Sequence, residues 1–139
     1  MKTTILITGG SGFVGSNLAI LFKKKHPSYR IISLDNLKRR GSELNLPRLK
    51  SAGVEFIHGD IRNNEDIEAV GPISFLIECS AEPSVMAGIN SSPDYLINTN
   101  LLGTVNCLNH AVKFKAPFFF ISTSRVYPVT KLNQLDFVE

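Results

Sequence analysis

Tyr127 and Lys131 are the pair in this sequence whose types and spacing most directly suit acid–base chemistry. On a helix, residues four apart lie side by side, so a lysine there can favour the ionised tyrosine and promote proton transfer. Pro128, however, follows the tyrosine directly, and a proline pushes the residue before it out of helical geometry. We therefore predict that Tyr127 and Lys131 do not share a helix face and that their spacing is accidental.

A glycine-rich turn is the second candidate site, in the stretch TGGSGFVG at residues 8–15. It directly follows a short apolar run and opens a helical pattern, which is the context that a dinucleotide-binding turn requires. Glycines allow a tight turn and a close approach of the backbone to a pyrophosphate, whose charge faces the free amides of the helix. Glycines also make ordinary turns, but the strand before and the helix after favour the phosphate-binding interpretation.

Asp35 ends the second apolar run, about 20 residues beyond the glycines. An acid at this position accepts hydrogen bonds from the adenosine ribose hydroxyls of NAD and repels the 2′-phosphate of NADP. The basic stretch 38–40 is the counter-evidence, because Lys-Arg-Arg could hold that phosphate, although a solvated loop explains it equally well. We predict NAD as the cofactor.

Small or polar residues also follow three further apolar runs, at 58–60, 78–81 and 122–124. Each has a structural explanation: Asp60 could cap a helix, Cys79 could lie in the core, and the serines could form turns. Their repeated placement at strand ends favours a common ligand-binding edge.

The elements that must position these residues alternate between strand and helix. Five short apolar runs, partly β-branched or aromatic, predict strands buried on both faces at 4–7, 31–34, 54–57, 73–77 and 118–121. Apolar residues at three- and four-residue steps predict helices between them, the first with Val14, Leu18, Leu21 and Phe22 and a longer one with Ile97, Leu101, Val105, Leu108 and Val112.

Alternating strands and helices predict an α/β domain with a doubly wound parallel sheet, strand order 3-2-1-4-5. Such a sheet binds ligands at the carboxyl ends of its strands, where the order reverses. Ser92 and Pro93 are suited to begin the longer helix. Gly103, inside it, is explained either by close packing against the sheet or by room for a ligand, and the sequence does not separate the two.

The composition of the 139 residues is that of one globular domain, with 43% apolar and 19% charged residues. A net charge of +3, with scattered basic residues, argues against a nucleic-acid partner. With no membrane-length apolar run or signal-peptide pattern, we expect a cytoplasmic protein without a membrane partner. Cys79 and Cys107 have no metal-ligand spacing, so we expect reduced thiols and no metal site.

Taken together, these residues resemble the extended short-chain dehydrogenase/reductase family, and within it the NAD-dependent nucleotide-sugar epimerases. The resemblance runs along the whole chain and implies a Rossmann-like NAD-binding domain over residues 1–139. Three stretches are most similar to the CDP-paratose 2-epimerase group: DNLKRRG at 35–41, HGDIRN at 58–63 and STSRVY at 122–127.

The resemblance also implies roles for individual residues. The diphosphate would lie against Gly9, Gly12, Phe13 and Val14, and the adenosine side against Asp35, Asn36, Arg39, Asp60 and Ile61. The path toward nicotinamide would follow Cys79, Ser80, Ala81, Asn100 and Ser122. Thr123 falls where the family places the catalytic hydroxyl that bonds the reacting sugar. Glu78 and Ser80 depart from the family's frequent histidine and alanine, which leaves the local polarity open.

Two features bear on the reaction. Ser124 and Arg125 stand where sugar 4,6-dehydratases carry an Asp-Glu pair, and the lack of that pair favours epimerisation. Arg125 is either an exposed strand-end residue or a contact to a substrate phosphate. The family's true tyrosine–lysine pair and its sugar-binding region lie beyond strand five, so we expect this chain to be the cofactor-binding part of a larger homo-oligomeric enzyme. A nucleotide-sugar reductase or dehydrogenase, or a dinucleotide-binding module without turnover, remains the alternative.

Overall fold

The five apolar runs form five strands of one parallel sheet in the computed structural model, which describes residues 2–84, 86–123 and 129–134. The strands are β1 (Thr4–Thr8), β2 (Arg30–Asp35), β3 (Glu55–His58), β4 (Phe75–Glu78) and β5 (Phe118–Phe120). Their order is β3-β2-β1-β4-β5, and every neighbouring pair is parallel. The predicted doubly wound topology is therefore confirmed.

Helices connect the strands. They are α1 (Phe13–Lys25), α2 (Leu46–Ser51), α3 (Asn64–Glu68), α4 (Asp94–Ile97), α5 (Thr104–Lys113) and α6 (Val129–Leu132). A 3₁₀ turn, Ser42–Asn45, precedes α2, and a π-helical segment, Asn98–Gly103, joins α4 to α5 so that one long helix runs from 94 to 113. Within the described residues, no helix combines the length and apolar character that crossing a membrane requires.

The core consists of two apolar layers, one on each face of the sheet. Alternate residues of a strand point to opposite faces, so Leu6 packs with the α3 and α5 side, whereas Ile5 and Ile7 pack with α1 and α2. The carboxyl ends of β1 and β4 are held in register by the pairing of Thr8 with Glu78. After β1 the chain runs toward β2, and after β4 it runs in the opposite direction toward β5, so the strand order reverses here.

Two predictions about burial were wrong in part. The interior strands β1, β2 and β4 are buried, but β3 and β5 are edge strands of the described sheet, and Phe119 and Phe120 are about half exposed. In α1, Val14 and Leu21 are exposed, and the buried positions belong to the small residues Gly15, Ser16 and Ala19. Small residues let the helix approach the sheet closely, which a pattern of large apolar residues does not reveal.

The long helix was predicted correctly, but its apolar stripe does not face the core. The exposed fraction of each stripe side chain is between 40% and 75%, for Ile97, Leu101, Val105, Leu108 and Val112. Cys107, His110 and Ala111 pack inward instead. The Ser92 hydroxyl accepts a hydrogen bond from the Asp94 N–H at 3.1 Å, so it pairs an amide at the start of the helix as predicted, although Pro93 and not Ser92 holds the N-cap position.

Gly103 is explained by packing. A Cβ at this position would lie 2.5 Å from Cδ1 and 2.7 Å from Cγ1 of Ile61, a buried residue in the loop after β3. The glycine therefore brings the long helix against the Ile61 side chain. Of the two explanations that the sequence left open, close contact is the one that the structure supports, although the partner is a loop residue and not the sheet.

Candidate functional site

The glycine turn between β1 and α1 contains glycines with different structural roles. Gly9 has φ of +60°, and a Cβ there would lie 2.7 Å from the carbonyl carbon of Cys79 at the end of β4. A Cβ at Gly15 would collide with the Gly9 carbonyl oxygen and lie 2.8 Å from the Gly10 Cα. Only Gly12 is nearly free, since its Cβ would meet the Gly9 oxygen alone, at 3.1 Å. Gly9 and Gly15 are thus required by the fold, whereas Gly12 leaves space beside the turn.

The amino terminus of α1 presents free backbone amides to this space. No side chain caps the helix at Gly12, and its first turn contains no acidic residue. Free backbone amides and the helix dipole at such an end attract a phosphate group. The glycine turn therefore fits a pyrophosphate on two grounds, open space at Gly12 and uncapped amides at the start of α1.

Asp35 is held in place beside the turn by two backbone amides. Its Oδ2 accepts a hydrogen bond from the Ser11 N–H at 3.0 Å, and its Oδ1 accepts one from the Leu37 N–H at 2.8 Å. An ionised carboxylate has about four acceptor positions, so both oxygens retain capacity for hydroxyl donors. A carboxylate fixed in this way suits the two hydroxyls of a ribose.

Asp60 forms a second anchored carboxylate at the end of β3. Asn36 Nδ2 donates to its Oδ2 at 2.8 Å, and the Arg62 guanidinium forms an ion pair with the same oxygen at 2.6 Å. Burial acts to raise the pKa of Asp60, but the hydrogen bonds from Arg62 and Asn36 and the charge of Arg62 outweigh it and lower the pKa to about 2. Asp60 is therefore an ionised hydrogen-bond acceptor at any physiological pH.

These groups lie along one groove of about 730 Å³ at the carboxyl edge of the sheet. Most of the residues predicted to bind the cofactor line it: Gly9, Gly12, Phe13, Val14, Asp35, Asn36, Arg39, Asp60, Ile61, Cys79, Ser80 and Ala81. The structure thus brings together the ends of β1, β2, β3 and β4, which the sequence could place only by topology. The volume is in the range of ordinary small-molecule sites.

Three predicted residues are not part of this lining. Ser122 and Thr123 follow β5 and are exposed. The Asn100 side chain is bonded to the backbone of Glu82, accepting from its N–H at 2.8 Å and donating to its carbonyl oxygen at 3.2 Å. Asn100 therefore holds the loop after β4, whose residues 80–84 line the groove.

Glu78 is a buried carboxyl at the end of β4, behind the groove. Only 1% of the residue is exposed; its Oε1 accepts a hydrogen bond from Thr104 Oγ1 at 2.9 Å, and its Oε2 has no hydrogen-bond partner. Burial raises the pKa of Glu78 to about 7, with the Thr104 hydrogen bond opposing the rise. Glu78 is therefore largely neutral below pH 7.

Both cysteine thiols have raised pKa values. Burial, and then the neighbouring Glu78 carboxyl, raises the pKa of Cys79 to about 11. The same two causes raise the pKa of Cys107 still further. Neither thiol supplies a thiolate at neutral pH, and among the described residues no group of three or more His, Cys, Asp or Glu is arranged to hold a metal ion.

Two groove residues of the long helix had no signal in the sequence. Tyr95 and Thr99 both line it, and they come from the long helix after β4, whose position relative to the groove depends on how the loop after β4 folds. Lys38 also lines the groove, although a solvated loop was one explanation for it. Of the opening pair, Lys131 lies exposed on α6, which begins just after Pro128, and Tyr127 is outside the described residues, so the accidental spacing stays a prediction.

Comparison with known proteins gives independent evidence. The model of the NAD dependent epimerase/dehydratase family matches residues 5–136. The chain is 35% identical over 130 residues to CDP-paratose 2-epimerase of Salmonella typhi, with 88% of this chain and 37% of that protein covered. It is 36% identical over 128 residues to dTDP-D-glucose 4,6-dehydratase of Dictyostelium discoideum, with 88% of this chain and 29% of that protein covered.

A solved structure agrees with these relatives. UDP-glucose 4-epimerase of Bifidobacterium longum, in complex with NAD⁺ and UDP, superposes with a TM-score of 0.77 at 28% identity, over 90% of this chain and 38% of that one. The chain thus spans well under half the length of the proteins that it matches. Because the family model covers nearly all of it and the fold agrees, the chain belongs to the NAD-dependent epimerase/dehydratase family.

Proposed function

We propose that this chain is the cofactor-binding part of an NAD-dependent nucleotide-sugar epimerase similar to CDP-paratose 2-epimerases. The proposal depends on one observation: Gly12, which leaves open space, and Asp35, whose carboxylate is held by two amides, lie in the same groove after successive strands. Family membership and the Salmonella typhi relative support it.

Different groove residues bind different parts of the dinucleotide. The amides at the start of α1 and the space at Gly12 receive the diphosphate, and Asp35 accepts hydrogen bonds from the adenosine ribose hydroxyls. Asp60, ionised and held through both oxygens by Arg62 and Asn36, flanks the adenine. When bound, NAD supplies a reversible hydride acceptor for the sugar carbon that is inverted.

Thr123 is the residue of this chain assigned to the sugar. It follows β5 beyond the β4 end of the groove, and we assign its hydroxyl a hydrogen bond to the reacting sugar hydroxyl. The tyrosine and lysine that move the proton are assigned to a later part of the enzyme. Inversion then requires oxidation of the sugar hydroxyl to a ketone and reduction of that ketone on its other face.

Epimerisation is preferred to dehydration because of the residues after Thr123. The relatives include 4,6-dehydratases at similar identity, so overall similarity does not separate the two reactions. Elimination of water needs an acid and a base that remove and deliver a proton in addition to the hydride transfer. This chain has Ser124 and Arg125 where the dehydratases carry that pair.

A homo-oligomer is part of the proposal. The exposed apolar stripe on the long helix, Ile97 to Val112, is typical of a surface that is covered in an assembly. Size-exclusion chromatography with light scattering of the complete enzyme tests it, using Leu101→Lys and Leu108→Lys as disrupting variants.

The decisive experiment incubates the complete enzyme with NAD and separate CDP-, UDP- and dTDP-linked hexoses, followed by product analysis. We expect a C2 epimer from a CDP-linked dideoxyhexose and no 4-keto-6-deoxy product. Accumulation of a 4-keto-6-deoxy sugar would assign the protein to the dehydratases. Binding of NADH without turnover of any sugar would favour a dinucleotide-binding module.

A further inference from the structure

Two loops and a helix meet through a single aromatic ring at the Asp35 and Asp60 end of the groove. Lys38 Nζ lies 2.9 Å from the centroid of the Tyr95 ring, and the Arg62 guanidinium carbon lies 4.7 Å from it. Lys38 belongs to the loop after β2, Arg62 to the loop after β3, and Tyr95 to the first turn of α4. Two cations thus share one ring, and Lys38 and Tyr95 both line the groove.

The backbone before Lys38 is held in an uncommon conformation that aims this side chain. Leu37 has φ of +54°, in the left-handed region that a leucine rarely adopts. Two hydrogen bonds hold it there: Asp35 Oδ1 accepts from the Leu37 N–H at 2.8 Å, and Asn36 Oδ1 accepts from the Lys38 N–H at 3.0 Å. Strained backbone of this kind persists where the surrounding contacts enforce it, and it is common at ligand sites.

Arg62 is fixed from the other side. Its guanidinium donates to both oxygens of Asp60, and Asn36 donates to Asp60 as well. The contacts therefore form a closed ring through Asn36, Lys38, Tyr95, Arg62 and Asp60. Lys38 and Arg62 are exposed and Tyr95 is half-buried on its helix, so the cation–π contacts are the part of the ring that can open without disturbing the core.

We propose that Lys38, Tyr95 and Arg62 form a clasp across the adenosine end of the groove, which opens to admit NAD and closes to retain it. The assignment of the adenosine end rests on the proposed function. In this arrangement Tyr95 is a gating residue: its contacts with the two cations must break before the dinucleotide enters and again before it leaves. A gate slows both directions, whereas an ordinary binding contact slows only departure.

The test measures NADH association and dissociation rates with the full chain by stopped-flow fluorescence. The sequence has no tryptophan, so the emission of the nicotinamide is read without that background. Tyr95→Ala should raise both rate constants about tenfold, from the loss of two cation–π contacts, with a change in Kd of less than about threefold. Tyr95→Phe keeps the ring and should retain both wild-type rates.

A second pair of variants tests the cation. Lys38→Met keeps the stem and removes the charge, and should raise both rates less than Tyr95→Ala does. Lys50→Met makes the same charge change on α2, outside the groove lining, and should leave the rates unaltered. This comparison separates loss of the clasp from a general change in the attraction of an anionic ligand.

The outcomes are distinguishable. Unchanged rates in Tyr95→Ala, or a faster dissociation with unchanged association, would overturn the clasp while the NAD groove stands. Equal effects of Tyr95→Phe and Tyr95→Ala would also overturn it, because the ring itself would then not be the closing group. Failure of the wild-type chain to bind NADH would overturn the cofactor assignment and the clasp together.

Discussion

Replacement of Glu78 by glutamine should make the protein more stable at neutral and alkaline pH. The carboxyl is 1% exposed, and its burial raises the pKa from 4.5 to about 7. A raised folded-state pKa means that the folded protein binds the proton more tightly than the unfolded chain does. The stabilising contribution is therefore complete below pH 4.5 and is lost as the pH rises toward 7.

The magnitude follows from the two pKa values. Each pKa unit corresponds to about 1.4 kcal/mol, so the full loss is about 3 kcal/mol, and most of it falls between pH 5 and 8. Against a total free energy of unfolding of about 5–15 kcal/mol for an ordinary domain, this is a large fraction. A neutral glutamine can still accept the hydrogen bond from Thr104 and carries no charge to bury.

The assay is urea unfolding of wild-type and Glu78→Gln protein at a series of pH values from 5 to 8. The quantity of interest is the difference between the two free energies of unfolding, because the contributions of other titrating groups cancel in it. His110, for example, has a pKa lowered by burial and so adds stability as the pH rises through its ordinary range. We expect the variant's advantage to grow steadily with pH.

Glu55→Gln is the matched control with the opposite sign. The hydrogen bond from Arg30 lowers the pKa of Glu55, against an opposing effect of burial, so this surface pair stabilises the fold above the ordinary glutamate pKa and loses that effect as the pH falls. Glu55→Gln should therefore become less favourable than wild type as the pH rises, by a small amount. A pH-independent difference between Glu78→Gln and wild type would refute the assignment of Glu78 as a buried, largely neutral acid.

Three further predictions concern the groove and the Tyr127–Lys131 pair. Gly12→Ala should weaken NADH binding at least about tenfold and change the free energy of unfolding by less than about 1 kcal/mol. Gly15→Ala, whose Cβ collides with the turn, should lower the free energy of unfolding by about 1–3 kcal/mol. Equal losses of stability in the two variants would contradict these different roles. Asp35→Asn should weaken NADH more than NADPH in fluorescence titrations, and an unchanged ratio would remove the ribose assignment. Lys131→Ala should leave turnover of the complete enzyme nearly intact, and a collapse in rate would make the spacing functional after all.

The strand order and the cofactor edge could be predicted because they depend on local patterns. Apolar runs such as Thr4–Ile7 and the glycines after them are signals within a few residues, and parallel strands joined by right-handed crossovers leave few topologies. Asp35 could be placed because its distance from the glycines is set by one helix and one strand. The family model and the solved relative agree with that reading of the fold.

Burial could not be predicted in the same way. The stripe from Ile97 to Val112 has the spacing of a core-facing surface, yet the helix packs inward through Cys107 and Ala111. A periodic pattern shows that a helix has an apolar face but not which neighbour covers it. The role of Tyr95 was missed for a related reason, because its two cation partners are 57 and 33 residues away in the sequence.

The sequence alone determined the parallel α/β sheet, the glycine turn and the acid at the end of β2, because each is encoded in short stretches whose backbone geometry depends on their own residues. Tertiary structure decided which glycine leaves space beside the turn, that Glu78 is buried with one oxygen unpaired, and that Lys38 and Arg62 share one ring. Those properties depend on contacts between segments far apart in the chain, and such contacts exist only after the strands have been brought to a common edge.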